Sequence, residues 1–91
     1  MPSLVIPAAL RRLMQSPVSE LDVEGQTVRE VLEALVDRHP GLRDTFFDAD
    51  GGIRRFVRIY IGENDIETLQ GAETPVSESD EIVFLPPIAG G

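Results

Sequence analysis

The stretch EIVFLPPIAGG, residues 81–91, decides how the rest of the chain is interpreted. Ile82–Leu85 is a continuous apolar run, which predicts a buried strand. Pro86 and Pro87 end that strand, because proline donates no hydrogen bond to a sheet ladder and restricts the residue before it. Gly90 and Gly91, at the end of the stretch, have no Cβ atom, so they fit a narrow channel. We therefore predict a strand that leads into a thin arm ending in the carboxylate of Gly91.

Two simpler explanations exist for adjacent glycines at the end of a sequence. One is a frayed terminus and the other is a remnant of cloning. The strand and the two prolines directly upstream favour a functional arm over both.

The composition indicates one domain over residues 1–91. The hydrophobic content of 42% is typical of a globular protein, and no apolar run approaches the roughly 20 residues of a membrane span. We expect a cytoplasmic protein that binds no membrane. The net charge of −8 argues against nucleic acid, which needs a basic surface, and favours protein partners with basic docking surfaces.

The sequence contains few residues that could form a catalytic site or a metal site. Cysteine is absent, which excludes disulfides, thiolate metal sites and a cysteine nucleophile. The single histidine, His39, follows a predicted helix, where a cation offsets the helix dipole. The run DADGG, residues 48–52, resembles the start of a calcium loop, but Ile59 stands where that loop needs a glutamate. We predict no metal site and no catalytic group in the body of the chain.

Periodicity predicts an α+β fold with one main helix. Thr27 and Glu30 form a capping box at its start. The apolar stripe behind that cap comprises Val28, Val31, Leu32, Leu35 and Val36. Strands are predicted within residues 3–7, 18–24, 53–62 and 81–85, with a short edge strand at 66–69. Residues 8–15 are interpreted as a turn of helix or a wide hairpin loop.

The strand order and the alternation of side chains predict which residues are buried. The first two strands should form an antiparallel hairpin, and the last strand should run parallel to the first in the middle of the sheet. Leu42, Phe46 and Phe47 are interpreted as a satellite cluster under a loop. The predicted core comprises Leu4, Ile6, Leu21, Val23, Val28, Val31, Leu32, Leu35, Val57, Ile59, Ile61, Ile82 and Phe84. For the last strand the pattern alone does not choose between the two faces.

The remaining reactive group is the Gly91 carboxylate. A carboxylate is a poor electrophile, but adenylation by ATP gives it a good leaving group, AMP. A sulfur nucleophile can then convert it into a thiocarboxylate. The enzyme that does this must thread the arm into its active site, which explains an arm with few side chains. No cofactor is expected on the chain itself, and ATP is used by the activating enzyme.

The chain resembles the ThiS/MoaD family of sulfur carriers, in FLPPIAGG and also in RFVRIYIGENDI, residues 55–66, and SDEIVFLPPIAGG, residues 79–91. The resemblance implies a ubiquitin-like β-grasp fold, with a mixed sheet of four to five strands, one main helix packed on one face and a flexible diglycine tail. It implies that an E1-like enzyme of the MoeB/ThiF type adenylates Gly91, that Gly91 then carries the sulfur as a thiocarboxylate, and that Gly90 is its required neighbour. It also favours Ile82 and Phe84 on the buried face.

Within the family, different stretches point to different roles. VIPAALR, residues 5–11, and RRFVRIYIGENDI, residues 54–66, look like the carrier of cysteine biosynthesis, whose acceptor is a cysteine synthase. Close relatives serve other thiolations, including that of a thiosugar synthase. PPIAGG, residues 86–91, is similar to the small subunit of molybdopterin synthase, whose partner is the large subunit. A ubiquitin-like modifier attached to lysines of other proteins, and an interaction domain with an inert tail, are the remaining alternatives.

The outward-facing side chains predict a docking surface beside the arm. If Val57, Ile59 and Ile61 are buried, alternation places Phe56, Arg58 and Tyr60 on the outward face. If Ile82 and Phe84 are buried, Val83 and Leu85 face outward as well. A contiguous apolar patch beside a reactive terminus is typical of a partner-binding surface. The predicted partner-binding residues are Phe56, Arg58, Tyr60, Val83, Leu85, Pro86, Pro87, Ile88 and Ala89. The alternative is that Phe46, Phe47 or residues 8–14 cover this face.

Overall fold

The fold is built on a sheet of five short strands. The computed structural model describes residues 1–14, 19–54 and 57–85, without the side chains of residues 9 and 13. The strands are β1 (Ser3–Val5), β2 (Glu20–Asp22), β3 (Arg58–Ile61), β4 (Asn64–Asp65) and β5 (Glu81–Leu85). The α-helices are α1 (Ala8–Met14), α2 (Val28–Arg38) and α3 (Arg43–Phe46). Single 3₁₀ turns occur at Pro40–Leu42, Ile66–Thr68 and Gly71–Glu73.

The sheet has the order β2-β1-β5-β3-β4. β1 and β2 pair antiparallel, as predicted for the first hairpin. β5 lies between β1 and β3, parallel to the first and antiparallel to the second. The predicted central position of the last strand is confirmed, and the α+β layout with a mixed sheet is confirmed with it.

Helix α2 forms where its sequence predicts it. The Thr27 side chain accepts a hydrogen bond from the Glu30 amide at 3.2 Å, and the Glu30 carboxylate accepts one from the Gln26 amide at 3.1 Å. These bonds satisfy two amides at the helix start that have no partner within the helix. The five residues of the apolar stripe are all buried.

The core lies between α2 and one face of the sheet. Eleven of the thirteen predicted core residues are buried, whereas Leu21 and Ile61 are only partly buried against the others. Leu21 lies in the edge strand β2, which has one neighbour in the sheet. Ile61 ends β3, directly before the turn at Gly62. Strand ends and edges are less covered than strand centres, which accounts for both.

The segment between α2 and β3 contributes to the main core. Leu42, Phe46 and Phe47 are buried within the same cluster as the sheet residues. The ring centroids of Phe46 and Phe84 lie 5.0 Å apart, in a tilted aromatic contact. The prediction of a separate satellite cluster is therefore wrong. Helical spacing placed these residues on one side of a turn, but it carried no information on which element that side would meet.

The residues after β3 form a different element from the one predicted. The predicted edge strand at residues 66–69 is wrong, because Ile66–Thr68 is a 3₁₀ turn and the edge strand is Asn64–Asp65. The Asp65 carboxylate accepts a hydrogen bond from the Glu67 amide at 2.9 Å, and the Thr68 hydroxyl donates to the Asp65 carbonyl at 2.6 Å. This local capping favours the turn over an extended chain. Residues 8–14 form helix α1, the first of the two interpretations offered for that segment.

Candidate functional site

Strand β5 holds the start of the predicted arm between two neighbouring strands. Leu85 is its last residue and pairs with Arg58 of β3. On the other side, Val83 pairs with Val5 of β1. A strand bonded on both edges is anchored more firmly than an edge strand, so the position of β5 up to Leu85 is fixed by its two neighbours. The predicted arm, residues 86–91 with Gly90 and Gly91, lies outside the described residues, and so does Phe56.

Alternate residues of β5 face opposite sides of the sheet. Ile82 and Phe84 are fully buried on the side of α2. Val83 is half-buried on the other side, and Leu85 is 50% exposed. The orientation of β5, which the sequence pattern left open and the family resemblance favoured, is confirmed.

Four side chains form an apolar surface on the face of the sheet opposite the core. Tyr60 pairs with Val83, and Val83 pairs with Val5, so these three residues lie in one row across β3, β5 and β1. Leu85 lies on the same face, two residues beyond Val83. We call Val5, Tyr60, Val83 and Leu85 the outer patch. Among the described residues, those proposed as an alternative cover pack into the core instead: Phe46, Phe47, Leu10 and Met14 are all buried there.

Val5 is a member of the outer patch that the sequence prediction missed. The signal was present, because Leu4 and Ile6 were both assigned to the core and alternation then places Val5 on the opposite face. Its contact with the patch depends on the parallel pairing of β1 with β5, which brings Val5 beside Val83. The two residues are distant in sequence, so only the topology shows that they are neighbours.

Carboxylates border the outer patch on both sides. Glu20 pairs with Val5 on one side, and Asp65 pairs with Tyr60 on the other. Asp22 and Glu81 flank Ser3 on the same face, and the Ser3 hydroxyl donates a hydrogen bond to Asp22 at 3.0 Å. We call Glu20, Asp22, Asp65 and Glu81 the acidic border. A partner that covers the patch must therefore meet negative charge around it.

Arg58 is the cation that the described part of this face carries. Its guanidinium lies 3.2 Å from the Asp65 carboxylate, and the two side chains are 60% and 16% exposed. Its position opposite Leu85 places a positive charge beside the last described residue of β5. The predicted residues Arg58, Tyr60, Val83 and Leu85 thus share one face, and their role in partner binding stays a prediction.

Two other features considered in the sequence, the DADGG loop and His39, take part in local hydrogen bonds. In the DADGG loop, the Asp48 carboxylate accepts hydrogen bonds from the amides of Asp50 and Gly52 at 3.0 and 3.1 Å. The His39 amide donates to the Leu35 carbonyl at 2.9 Å and closes the last turn of α2. Within residues 1–14, 19–54 and 57–85, no three histidine or acidic side chains converge in a way that could hold a metal ion. In the same part of the chain, no helix is both long and apolar enough to cross a membrane.

Known proteins resemble this chain in sequence and in fold. It is 29% identical over 73 residues to the sulfur carrier protein CysO of Mycobacterium tuberculosis, which covers 78% of each chain. It is 33% identical over 85 residues to small archaeal modifier protein 1 of Haloferax volcanii, which covers 92% of this chain and 93% of the relative.

The fold likeness extends over the full length. A chain in the crystal structure of the Amycolatopsis orientalis BexX/CysO complex superposes with a TM-score of 0.88 at 26% identity, covering 100% of both chains. The five-stranded mixed sheet with α2 on one face is the ubiquitin-like β-grasp fold. The model of the ThiS family matches residues 4–91, through both glycines of the predicted arm. The chain belongs to the ThiS family.

Proposed function

We propose that this protein is a sulfur carrier whose reactive group is the carboxylate of Gly91. An E1-like enzyme of the MoeB/ThiF type uses ATP to join that carboxylate to AMP, and a sulfur donor then displaces AMP to leave a thiocarboxylate. Gly90 is the small neighbour that lets the arm enter the active site. The protein is a co-substrate in this scheme, because the chemistry is performed on it by its partners.

The observation that carries the proposal is the family match through Gly91, combined with the position of β5. The arm follows the central strand, and the likeness to a protein called a sulfur carrier covers most of the chain. Residues 1–91 act in this proposal as one β-grasp domain, with residues 86–91 as the arm.

The outer patch and its acidic border are proposed to dock both the activating enzyme and the sulfur acceptor. The patch lies on the same sheet as β5, which directly precedes the arm in sequence. A partner bound to the patch is therefore positioned to bind residues 86–89 together with Gly90 and Gly91. A partner with an apolar centre and a basic rim complements this surface. If both partners use one surface they compete for it, and the carrier must leave the first before it meets the second.

The acceptor that we favour is a cysteine synthase. Support comes from the likeness to CysO of Mycobacterium tuberculosis over 73 residues and from VIPAALR at the start of the chain. A related thiolation, such as that of a thiosugar synthase, uses the same activated group. A role as the small subunit of molybdopterin synthase would place the same arm in a large subunit, and the ending PPIAGG is the feature that favours it.

A second candidate function is protein modification. The 33% identity to small archaeal modifier protein 1 covers more of this chain than the match to CysO does. A modifier needs the same adenylated carboxylate, but a lysine amine of another protein replaces sulfur as the nucleophile.

Intact-mass spectrometry of the protein from its native host tests the proposal. A carrier gains the mass difference between sulfur and oxygen at its carboxyl terminus, whereas a modifier is found joined to other proteins. ATP–pyrophosphate exchange with the activating enzyme of that host supplies the matched control. Wild type should support exchange, and a variant lacking Gly91 or carrying Gly90→Ala should not. Normal exchange by the Gly91 deletion would contradict the carrier function.

A further inference from the structure

The basic residues of this chain share one chemical property. All eight are arginine, and the sequence contains neither lysine nor cysteine. A lysine amine loses its proton readily enough to act as a nucleophile, whereas a guanidinium stays protonated and does not. The sequence therefore has positive charge without any side-chain amine or thiol.

An activated Gly91 carboxyl would reach a large part of its own protein. Six residues follow Leu85, and a chain of that length spans at most about 20 Å. The body measures 28 × 25 × 23 Å. A lysine on much of the outer face would then lie within reach, and two groups joined by a short linker typically meet at an effective concentration of about 1 mM.

Among the described residues, Arg58 is the cation that pairs with the last residue of β5. It pairs with Leu85 across the sheet, and its side chain is 60% exposed beside Asp65. Paired residues of antiparallel strands lie about 5 Å apart. A lysine here would hold its amine well inside the range of the activated carboxyl, whereas the guanidinium supplies the same charge and cannot attack.

Met1 lies at the end of the sheet opposite to Leu85. β1 runs parallel to β5, and Ser3 pairs with Glu81, so Met1 lies beyond the start of β5. Leu85 is four residues further along β5, or about 13 Å at the rise of a strand. Met1 lies two positions before Ser3, which adds two residue steps, so an amine at Met1 is separated from Leu85 by about 20 Å, the limit of a fully extended arm.

We propose, on the basis of the carrier or modifier function above, that the absence of side-chain amines protects the activated Gly91 carboxyl from attack by the chain's own side chains. In the reaction that is avoided, an amine nitrogen bonds to the carbonyl carbon of Gly91. The bond to AMP or to a thiol breaks, the leaving group takes the electron pair, and the amine gives its proton to solvent. Without a side-chain amine, the acyl group passes to nucleophiles of partners or to water, and not to another side chain of the chain. A modifier of this kind also cannot be extended into a polymer through its own side chains.

The test uses the full chain with a chemically installed thioester at Gly91, produced by cleaving an intein fusion with a small thiol. No activating enzyme is needed, so the result is separate from the exchange assay for the proposed function. Wild type, Arg58→Lys and Arg58→Gln are incubated at pH 8 and followed by intact-mass spectrometry. The two variants remove the same guanidinium, and only one of them adds an amine. Added Nα-acetyl-lysine confirms in each case that the thioester reacts with amines.

We expect wild type and Arg58→Gln to hydrolyse to the free acid. Arg58→Lys should form a cyclised monomer, one water lighter than the acid, or a dimer, at a rate at least about ten times higher. Tyr60→Lys, two residues further along β3 on the same face, serves as a second amine variant if Arg58→Lys does not fold. Self-acylated wild type in amounts equal to those of the lysine variants would overturn the proposal. So would the absence of self-acylation in folded lysine variants whose thioester still reacts with Nα-acetyl-lysine.

Discussion

The two faces of the sheet are built by the same strands, but they differ in what covers them. On one face α2, α1 and the segment around α3 bury the side chains, so that Phe84 is 1% exposed. On the other face, the next residue, Leu85, is 50% exposed, and the half-buried Tyr60 and Val83 lie beside it. Within the described residues no helix covers this outer face, and contiguous exposed apolar side chains are typical of partner-binding surfaces. The difference separates residues that are buried in the core from residues that keep apolar surface accessible on the other face.

The largest effect that tests this comparison is expected from Phe84→Ala. It removes a fully buried ring that packs against Phe46, so the variant should lose about 3–5 kcal/mol of unfolding free energy. Leu85→Ala in the same strand is the matched control and should change stability by less than about 0.5 kcal/mol. Denaturant titration of both variants measures the difference. Equal losses would mean that the outer patch also stabilises the fold.

The helix that covers the core face gives the next largest effect. Leu32 is fully buried in α2, and Leu32→Ala should cost about 2–5 kcal/mol. Its neighbour Glu33 is exposed, so Glu33→Ala should leave stability nearly unchanged. The same titration measures both, and a loss below about 1 kcal/mol for Leu32→Ala would show that α2 contributes little to the core.

The sequence predicts the core face better than the outer face, for a physical reason. The stripe of α2 repeats with the helical period, and its burial follows from that period alone. Ile82–Leu85 is apolar at every position, so alternation cannot say which residues are buried until the neighbouring strands are known. Val5 joins the patch only through pairing with a strand far away in sequence. The turn at Ile66–Thr68 was missed because the cap from Asp65 outweighs the strand propensity of the segment.

Substitutions in the outer patch should change the free energy of partner binding by less than core substitutions change the free energy of unfolding. Leu85→Glu introduces charge into the patch and should weaken binding to the activating enzyme by about 1–2 kcal/mol, roughly tenfold. Leu69 is a matched control, because it is an exposed leucine outside the patch, at 48% against 50% for Leu85. Calorimetric titration should show Leu69→Glu binding like wild type. Phe56→Ala and Leu85→Glu should also weaken binding to the sulfur acceptor. If folded variants bind both partners with unchanged affinity, the docking surface lies elsewhere.

The smallest effect concerns the ion pair at the border of the patch. Arg58 and Asp65 lie 3.2 Å apart, and the arginine side chain is 60% exposed, so water and salt screen their attraction. Such pairs contribute about 0.2–1 kcal/mol, far less than one buried ring. A double-mutant cycle with Arg58→Gln and Asp65→Asn, measured by denaturant titration at low and high salt, isolates this coupling. We expect a coupling below about 1 kcal/mol that falls as salt rises. A larger coupling that salt does not change would mean that Arg58 is committed to the fold. It would then not be available to a partner, and the outer face would resemble the core face more than its exposure indicates.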